Sequence, residues 1–322
     1  MADHDSERVT LARLPSGVAV ETTVHTYGSG DPVVYAQAAQ HGREINGTAV
    51  LRRLHDYLLD ADLDGTFVAV PVADPLTFDT VSYTTPEAYD SVNNNMNRCW
   101  PGDPDGSVHE RMAAALWEYV GDADYIVDLH TGSRDMLTHS VYLQGDDDCR
   151  RLAEAFGTRL LLAEAAGDDA DVEWEERNFG GKLRVAATRE GIPAITPELA
   201  HNKELVSDAI GTGVEGTKNV LRETGVLDDG VDVPEWTGVR ARNHLGRVKA
   251  TDAGLFSAAG GLAVGNSVEE GETVGELFDP TTYETLQTAT ADRAGVVYSV
   301  TREATVTAGE TLVGVAMRLD DE

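Results

Sequence analysis

The sequence predicts an α/β fold: a mixed, largely parallel sheet flanked by helices, followed by a small C-terminal all-β domain. Three observations carry this. Short apolar runs at residues 32–38, 66–72, 125–129 and 193–196 alternate with segments of helical periodicity, the pattern of buried strands joined by covering helices. Beyond residue 236 the helical pattern stops, and short strands separated by glycine turns replace it. The length of 322 residues exceeds one typical domain and suits a large domain plus a small one. The stretch 227–236, with Asp228-Asp229-Gly230 and Pro234 inside it, reads as the linker and divides the chain into 1–230 and 231–322.

Taken in order, residues 8–27 alternate loosely and read as strands around the turn Pro15-Ser16-Gly17. The strand at 32–38 ends at His41-Gly42-Arg43-Glu44. From Asn46 to about residue 62, Val50, Leu51, Leu54, Tyr57 and Leu58 recur at helical spacing. Residues 73–105 are rich in Pro, Asn, Asp and Thr and show no periodicity; loops of that length in a compact domain usually serve function. Val108, Met112, Leu116, Trp117 and Val120 mark a helix over 107–120, and the strand at 125–129 ends at His130. Helix at 148–156, strand at 159–162, helix at 182–190, a strand delivering Glu198 and a helix over 203–224 complete the larger domain. In the smaller one, Ala253-Gly254-Leu255-Phe256-Ser257 with Glu270-Gly271-Glu272-Thr273-Val274 resembles Ala294-Gly295-Val296-Val297-Tyr298 with Ala308-Gly309-Glu310-Thr311-Leu312. That internal duplication predicts a barrel or sandwich similar to a lipoyl-type fold. A lipoyl carrier needs an exposed lysine at a hairpin tip, and Lys249 precedes the first repeat, which argues against a carrier role.

Charge excludes several function classes. The chain has 56 acidic and 25 basic residues, a formal net charge of −31, and its lysines are Lys182, Lys203, Lys218 and Lys249. Such a surface repels nucleic acid and anionic membranes, since both require clustered positive charge. The acids are spread along the chain, the distribution expected of a protein from a very salty cytoplasm, where the Debye length shrinks to about 3 Å. No apolar run approaches the length of a membrane helix, and the acidic start Met1-Ala2-Asp3-His4-Asp5 is unlike a signal peptide. A cytoplasmic, halophilic protein is expected, with Cys99 and Cys149 as reduced thiols.

The chemistry gathers at predicted strand ends. In open α/β sheets, ligands sit at the carboxyl ends of strands, and His41, His130 and Glu198 each follow a predicted strand. His41 and Glu44 are three residues apart; on a helix opening at Gly42 they would share a face. With His130 they make a His₂Glu set that leaves the fourth position of a tetrahedral zinc open. Asp128, two residues before His130 on the same strand face, is placed to fix that histidine's tautomer. His109, His139, His201 and His244 read as surface residues or as residues behind the ligands, with His201 three positions past Glu198, and the Trp174-Glu175-Glu176-Arg177 run as a solvated face.

His41-Gly42-Arg43-Glu44, Asn97-Arg98-Cys99-Trp100-Pro101-Gly102, Asp128-Leu129-His130-Thr131-Gly132 and Gly191-Ile192-Pro193-Ala194-Ile195-Thr196-Pro197-Glu198-Leu199 occur in that order. Together they resemble the succinylglutamate desuccinylase/aspartoacylase family, itself similar to zinc carboxypeptidases, over residues 33–200. The resemblance implies a zinc-carboxypeptidase-like fold with an appended β domain and one zinc per chain, held by His41, Glu44 and His130. It implies that Asn97 and Arg98 grip a substrate carboxylate, a task suited to the planar guanidinium fork, and that Glu198 activates water as general base. The substrate implied is a small anionic N-acyl amino acid, and a homo-oligomer is compatible with it.

This chain also departs from the family pattern. Asn95-Met96 replace the usual Asp-Leu, Trp100 the usual Phe, and Ala200 the common Gly. The family's upstream oxyanion arginine has no counterpart, because no Arg or Lys lies between Arg53 and Arg98. Tyr83 and Arg134 are the candidate substitutes. Two alternatives stay open: a zinc carboxypeptidase on short peptides, which a β domain narrowing the cleft disfavours, and a catalytically impaired metal- or carboxylate-binding protein.

Overall fold

The computed structural model describes residues 3–132, 135–164, 178–302 and 304–319, with the backbone alone for 243–246. An antiparallel pair, β1 (His4–Arg13) and β2 (Ala19–Gly28), turns at the predicted Pro15-Ser16-Gly17. There follow β3 (Val33–Ala38), α1 (Asn46–Leu58), β4 (Thr66–Val70), α2 (Pro75–Thr80), a 3₁₀ turn (Met96–Arg98), α3 (Val108–Val120) and β5 (Tyr125–Gly132). Then come β6 (Asp135–Met136), β7 (His139–Leu143), α4 (Asp147–Phe156), β8 (Leu160–Glu164), α5 (Leu183–Arg189), β9 (Ala194–His201) and α6 (Ser207–Glu223).

The pairs β4–β3, β3–β5 and β5–β9 are parallel, whereas β2–β4 and β9–β7 are antiparallel, so the sheet is mixed with a parallel centre. Apolar runs in that centre are continuous because both faces are covered. Val34, Ala36, Val127 and Ile195 look toward a core completed by α1, α4 and α6. Tyr35, Val70, Ile126 and Ala194 look the other way, toward Met112 and Leu116 of α3 and Leu183 and Ala186 of α5. Caps fix the helix starts. Ser107 and Glu110 form a reciprocal capping box on α3, Asp146 caps α4, and Gly157 ends α4 at a φ of 83° that favours glycine.

Four expectations change. The helix expected from Asn46 to about residue 62 ends at Leu58, and the last helix begins at Ser207 rather than near Lys203. The loop at 73–105 holds α2 and the 3₁₀ turn, both shorter than a period that the sequence can display. His109, expected at the surface or behind the ligands, is fully buried and organises that loop instead. Its Nδ1 lies 3.1 Å from Asp90 Oδ2, and its Nε2 lies 2.9 Å from Thr85 Oγ1 and 3.3 Å from Asp74 Oδ2.

After the irregular stretch 228–238, β10 (Val239–Lys249) adds in parallel to β8, so the C-terminal strands extend the main sheet. The remaining strands are β11 (Gly254–Ala258), β12 (Ser267–Val268), β13 (Thr273–Phe278), β14 (Thr285–Thr290), β15 (Gly295–Val300), β16 (Thr305–Val306) and β17 (Thr311–Arg318). Each sequence repeat forms an antiparallel pair, β11–β13 in a separate four-stranded sheet and β15–β17 in the main one. The short strand inside each repeat crosses to the other: β12 pairs with β15, and β16 with β11. Phe256, Val274 and Leu277 from one sheet meet Val297, Val313 and Val315 from the other in a shared core.

Candidate metal centre and substrate cavity

Turn geometry, rather than a helix, brings His41 and Glu44 together. The Glu44 N–H donates to the His41 carbonyl at 2.9 Å, closing His41-Gly42-Arg43-Glu44 into a tight turn three residues beyond β3. Gly42 is required there, because a Cβ would fall 1.9 Å from the Thr77 carbonyl oxygen of α2. His130 and Glu198 lie within β5 and β9 rather than after them, and their Cα atoms are register partners on adjacent parallel strands. His41, Glu44 and His130 are all buried, and one ligand atom from each lies within 4.8 Å of the others.

Each histidine has its outer nitrogen occupied. His41 Nδ1 donates to the Tyr83 carbonyl at 2.8 Å, and the Tyr83 ring stacks on the imidazole with centroids 3.9 Å apart. His130 Nε2 lies 3.0 Å from Asp128 Oδ2, as the two-residue spacing predicts, and His130 Nδ1 points at Glu44 Oε2 at 3.0 Å. Behind Asp128, Gln37 donates to its other oxygen at 3.0 Å, and the Tyr35 hydroxyl donates to Gln37 at 2.9 Å. Glu44 Oε2 also accepts the Thr131 N–H at 3.0 Å. Two imidazoles and a carboxylate, held from behind by a carbonyl, a carboxylate and an amide N–H, fit a zinc ion with one open position.

Burial and neighbouring charge set each of these groups differently. Burial pushes His41 down to about 4, so this imidazole is neutral. Burial opposes charge on His130 too, but the Asp128 and Glu44 carboxylates outweigh it and hold the ring well above its ordinary range. Glu44 stays below the usual carboxylate range because His41, His130 and the Thr131 N–H overcome its burial. Glu198 differs. Burial raises it to about 7, with Glu44 adding to the rise and His130 and Lys182 opposing it. A carboxyl poised near neutrality is suited to taking and returning a proton.

The centre opens into a cavity of ≈ 380 Å³, within the range of small-molecule sites. Arg98 lines it, with Nη1 donating to the Asn97 carbonyl and its guanidinium 5.7 Å from the Phe179 ring centroid. Asn97 also lines it, but its Oδ1 accepts the Leu183 N–H at 3.3 Å and so ties the 3₁₀ turn to the start of α5. Gly181 lies flat on the Arg98 backbone, where a Cβ would meet the Arg98 carbonyl oxygen at 2.0 Å. Tyr83 lines the cavity, and burial raises its phenol to about 12, which leaves it neutral. Arg134, His244 and the run 174–177 fall outside the residues whose side chains are described.

Several cavity residues escaped sequence reading. Lys182 is half-buried, and desolvation lowers its amine to about 8. Arg184 is buried against Glu164 in an ion pair, yet among the described residues its Nη1 has no hydrogen-bond partner. Arg247, Tyr298, Ser299 and Thr311 from the C-terminal strands close another wall. His139 is neither exposed nor remote: it is buried, lines the cavity and is the antiparallel register partner of Glu198. Its Nδ1 donates to the Leu137 carbonyl at 2.7 Å, and burial lowers it to about 4. His201 is absent from the lining and lies 3.2 Å from Glu204. A signal was present in Gly180-Gly181-Lys182-Leu183-Arg184, two cations just after paired glycines in a chain poor in lysine.

A family model for the succinylglutamate desuccinylase/aspartoacylase catalytic domain matches residues 31–224. The chain is 26% identical over 305 residues to the N-alpha-acetyl-L-2,4-diaminobutyric acid deacetylase of Halomonas elongata, covering 93% of this chain and 86% of that protein. Among solved structures, it superposes on a succinylglutamate desuccinylase from a Silicibacter species with a TM-score of 0.82 at 20% identity, covering 99% of this chain and 95% of the other. The product-bound ectoine utilization protein of Ruegeria pomeroyi gives 0.81 at 21% identity, with 98% and 95% covered. At these identities the two structures speak to the fold.

Proposed function

The chain belongs to the succinylglutamate desuccinylase/aspartoacylase family, and from that membership we propose that it is a zinc-dependent amidohydrolase removing the acyl group from a small N-acyl amino acid. One observation carries the reading: a buried His41, Glu44 and His130 set and the near-neutral Glu198 share one small cavity. When bound, zinc would supply Lewis acidity, polarising the amide carbonyl and making water a stronger acid. Glu198 accepts the proton of the attacking water at its carboxylate and then passes a proton to the leaving amine. Arg98 holds the substrate carboxylate, and Asn97 positions Arg98 by fixing the turn that carries both. Asp128 keeps the Nε2 proton on His130 and so directs Nδ1 to the ion. Tyr83 faces the same space as a neutral donor for the developing oxyanion.

Charge narrows the substrate. Outside the metal ligands and Asp128, the described lining holds Arg43, Arg98, Lys182, Arg184 and Arg247 against Glu164 and Glu198. A cationic cavity in a chain of net charge −31 favours an N-acyl amino acid with a second carboxylate. The unpartnered Arg184 Nη1 is one donor for it, since a buried polar group without a partner costs about 1–3 kcal/mol. The walls contributed by Tyr298 and Thr311 favour a small substrate over a polypeptide. The test is a hydrolysis panel in molar KCl with zinc-loaded protein: N-acetyl-L-aspartate and N-succinyl-L-glutamate against N-acetyl-L-leucine, Nα-acetyl-L-2,4-diaminobutyrate and a dansylated dipeptide. The proposal expects the two substrates with more than one carboxylate to lead in kcat/KM. Preference for the peptide would replace it with the carboxypeptidase reading.

A further inference from the structure

On the far side of the sheet edge, β1, β2 and α1 bring together three histidines unrelated to the catalytic cavity. His4 and Ser6 on β1 are register partners of Tyr27 and His25 on β2, so His4, His25 and Tyr27 share one face of the pair. His55 of α1 lies against that face. One ligand atom from each of His4, His25 and His55 lies within 4.8 Å of the others. His4 Nε2 and His25 Nδ1 are 3.2 Å apart; with Zn–N bonds of about 2.0–2.1 Å, tetrahedral donors stand roughly 3.3 Å apart. The Tyr27 hydroxyl lies 2.7 Å from His55 Nδ1 and fixes that ring. All three imidazoles are only half-buried, so solvent can reach the ion.

We propose that His4, His25 and His55 form a second metal site, separate from the catalytic one, that takes a divalent transition ion and clamps the edge strand β1 to α1. An all-imidazole donor set selects zinc, nickel, copper or cobalt over magnesium or calcium. The three rings have no ion pair with a carboxylate among the described contacts, and His4 and His25 stack with ring centroids 5.5 Å apart. Two of the three ligands precede residue 31, where the match to the family's catalytic domain begins. β1 is the terminal strand of the sheet and pairs on one side only, so a metal tie to α1 would supply the attachment that a second neighbouring strand gives elsewhere.

The test uses tag-free protein in the His41→Ala background, which removes the catalytic ligand set and keeps this result independent of the proposed function. Protein is stripped with chelator, loaded with cobalt or nickel, desalted and measured by plasma mass spectrometry and visible absorption. One ion per chain is expected, with cobalt d–d bands, and the ion should raise the unfolding temperature. Adding His25→Ala, or His4→Gln where circular dichroism shows that the first variant misfolds, should abolish the ion, the bands and the shift. No ion on folded His41→Ala protein, or an ion that survives both substitutions, overturns the proposal. In the otherwise native chain, His25→Ala should lower metal content from two ions to one without reducing amide hydrolysis. If native and His41→Ala proteins both bind one ion, the proposed function fails while this site stands.

Discussion

The two halves of the cavity are built differently. The metal half is made where parallel strands end together: β3 leads to the His41 turn, β5 carries Asp128 and His130, and β9 carries Glu198. His41, Glu44, Asp128 and His130 there each have a named partner that fixes their orientation. The other half is assembled from distant pieces, the Arg98 turn, the Lys182–Arg184 segment and the C-terminal strands, and it keeps an unpartnered guanidinium nitrogen. On the proposed reading the first half has one task, holding an ion. In the second, Arg98 and Arg184 each have a partner within the protein, while Arg184 Nη1 has none among the described residues and is left to a bound molecule on the proposed reading.

Breaking the metal half should give the largest effects. Glu198→Gln should lower kcat by about 10²–10⁴-fold with zinc content unchanged, as read by turnover and metal analysis on one preparation. The raised carboxyl of Glu198 also sets a sign. Its folded-state value of about 7 lies above the ordinary 4.5, so its contribution to stability is present at low pH and lost as pH rises through about 7. Metal-free Glu198→Gln protein should therefore be more stable than metal-free wild type at pH 8, and equal to it at pH 4, by denaturant unfolding. Activity should rise with pH across the acid limb as Glu198 ionises, and that limb should vanish in the Gln variant.

The substrate half comes next. Arg184→Met removes this guanidinium from the buried Glu164 carboxylate and should lower the unfolding free energy by up to roughly 3–5 kcal/mol. The double variant with Glu164→Leu should recover most of it, yet its KM for a dicarboxylate should stay high, separating stability from binding. Asp128→Asn should weaken zinc about 10–100-fold in a chelator competition and leave the preference among acyl amino acids unchanged. The smallest effect lies beside Glu198. Ala200 sits at a φ of +56°, where a side chain costs about 1–2 kcal/mol, so Ala200→Gly should stabilise by about 0.5–1 kcal/mol after glycine's own entropy cost. A loss of stability there would mean that the Ala200 methyl contributes more packing than its strained backbone costs.

The same contrast explains what the sequence disclosed. Strands of the parallel centre were legible because both of their faces are buried, which leaves mostly apolar runs at 33–38, 125–129 and 194–196. His41, Glu44, Asp128, His130 and Glu198 could be gathered because each lies at or near the end of such a run. Their local geometry was less legible. A tight turn, not a helix, joins His41 to Glu44, and the reason is the contact of Gly42 with α2, an element too short to show a period. His139 and Arg247 were misread or missed because nothing local marks them. His139 matters only through its antiparallel pairing with β9, and Arg247 only because β10 joins the main sheet at β8. The duplication after residue 250 was visible as repeated Ala-Gly and Gly-Glu-Thr words, but the exchange of short strands between repeats was not, since pairing partners leave no trace in spacing.

The most direct test of the account is reconstitution. Chelator-stripped wild type and His41→Ala proteins are titrated with zinc while release of free amino acid from the leading dicarboxylate substrate is followed. The account predicts no activity in either stripped protein, recovery in wild type as the catalytic site fills, and none in His41→Ala at any zinc level. Full activity in stripped wild type, or equal recovery in His41→Ala, would contradict it.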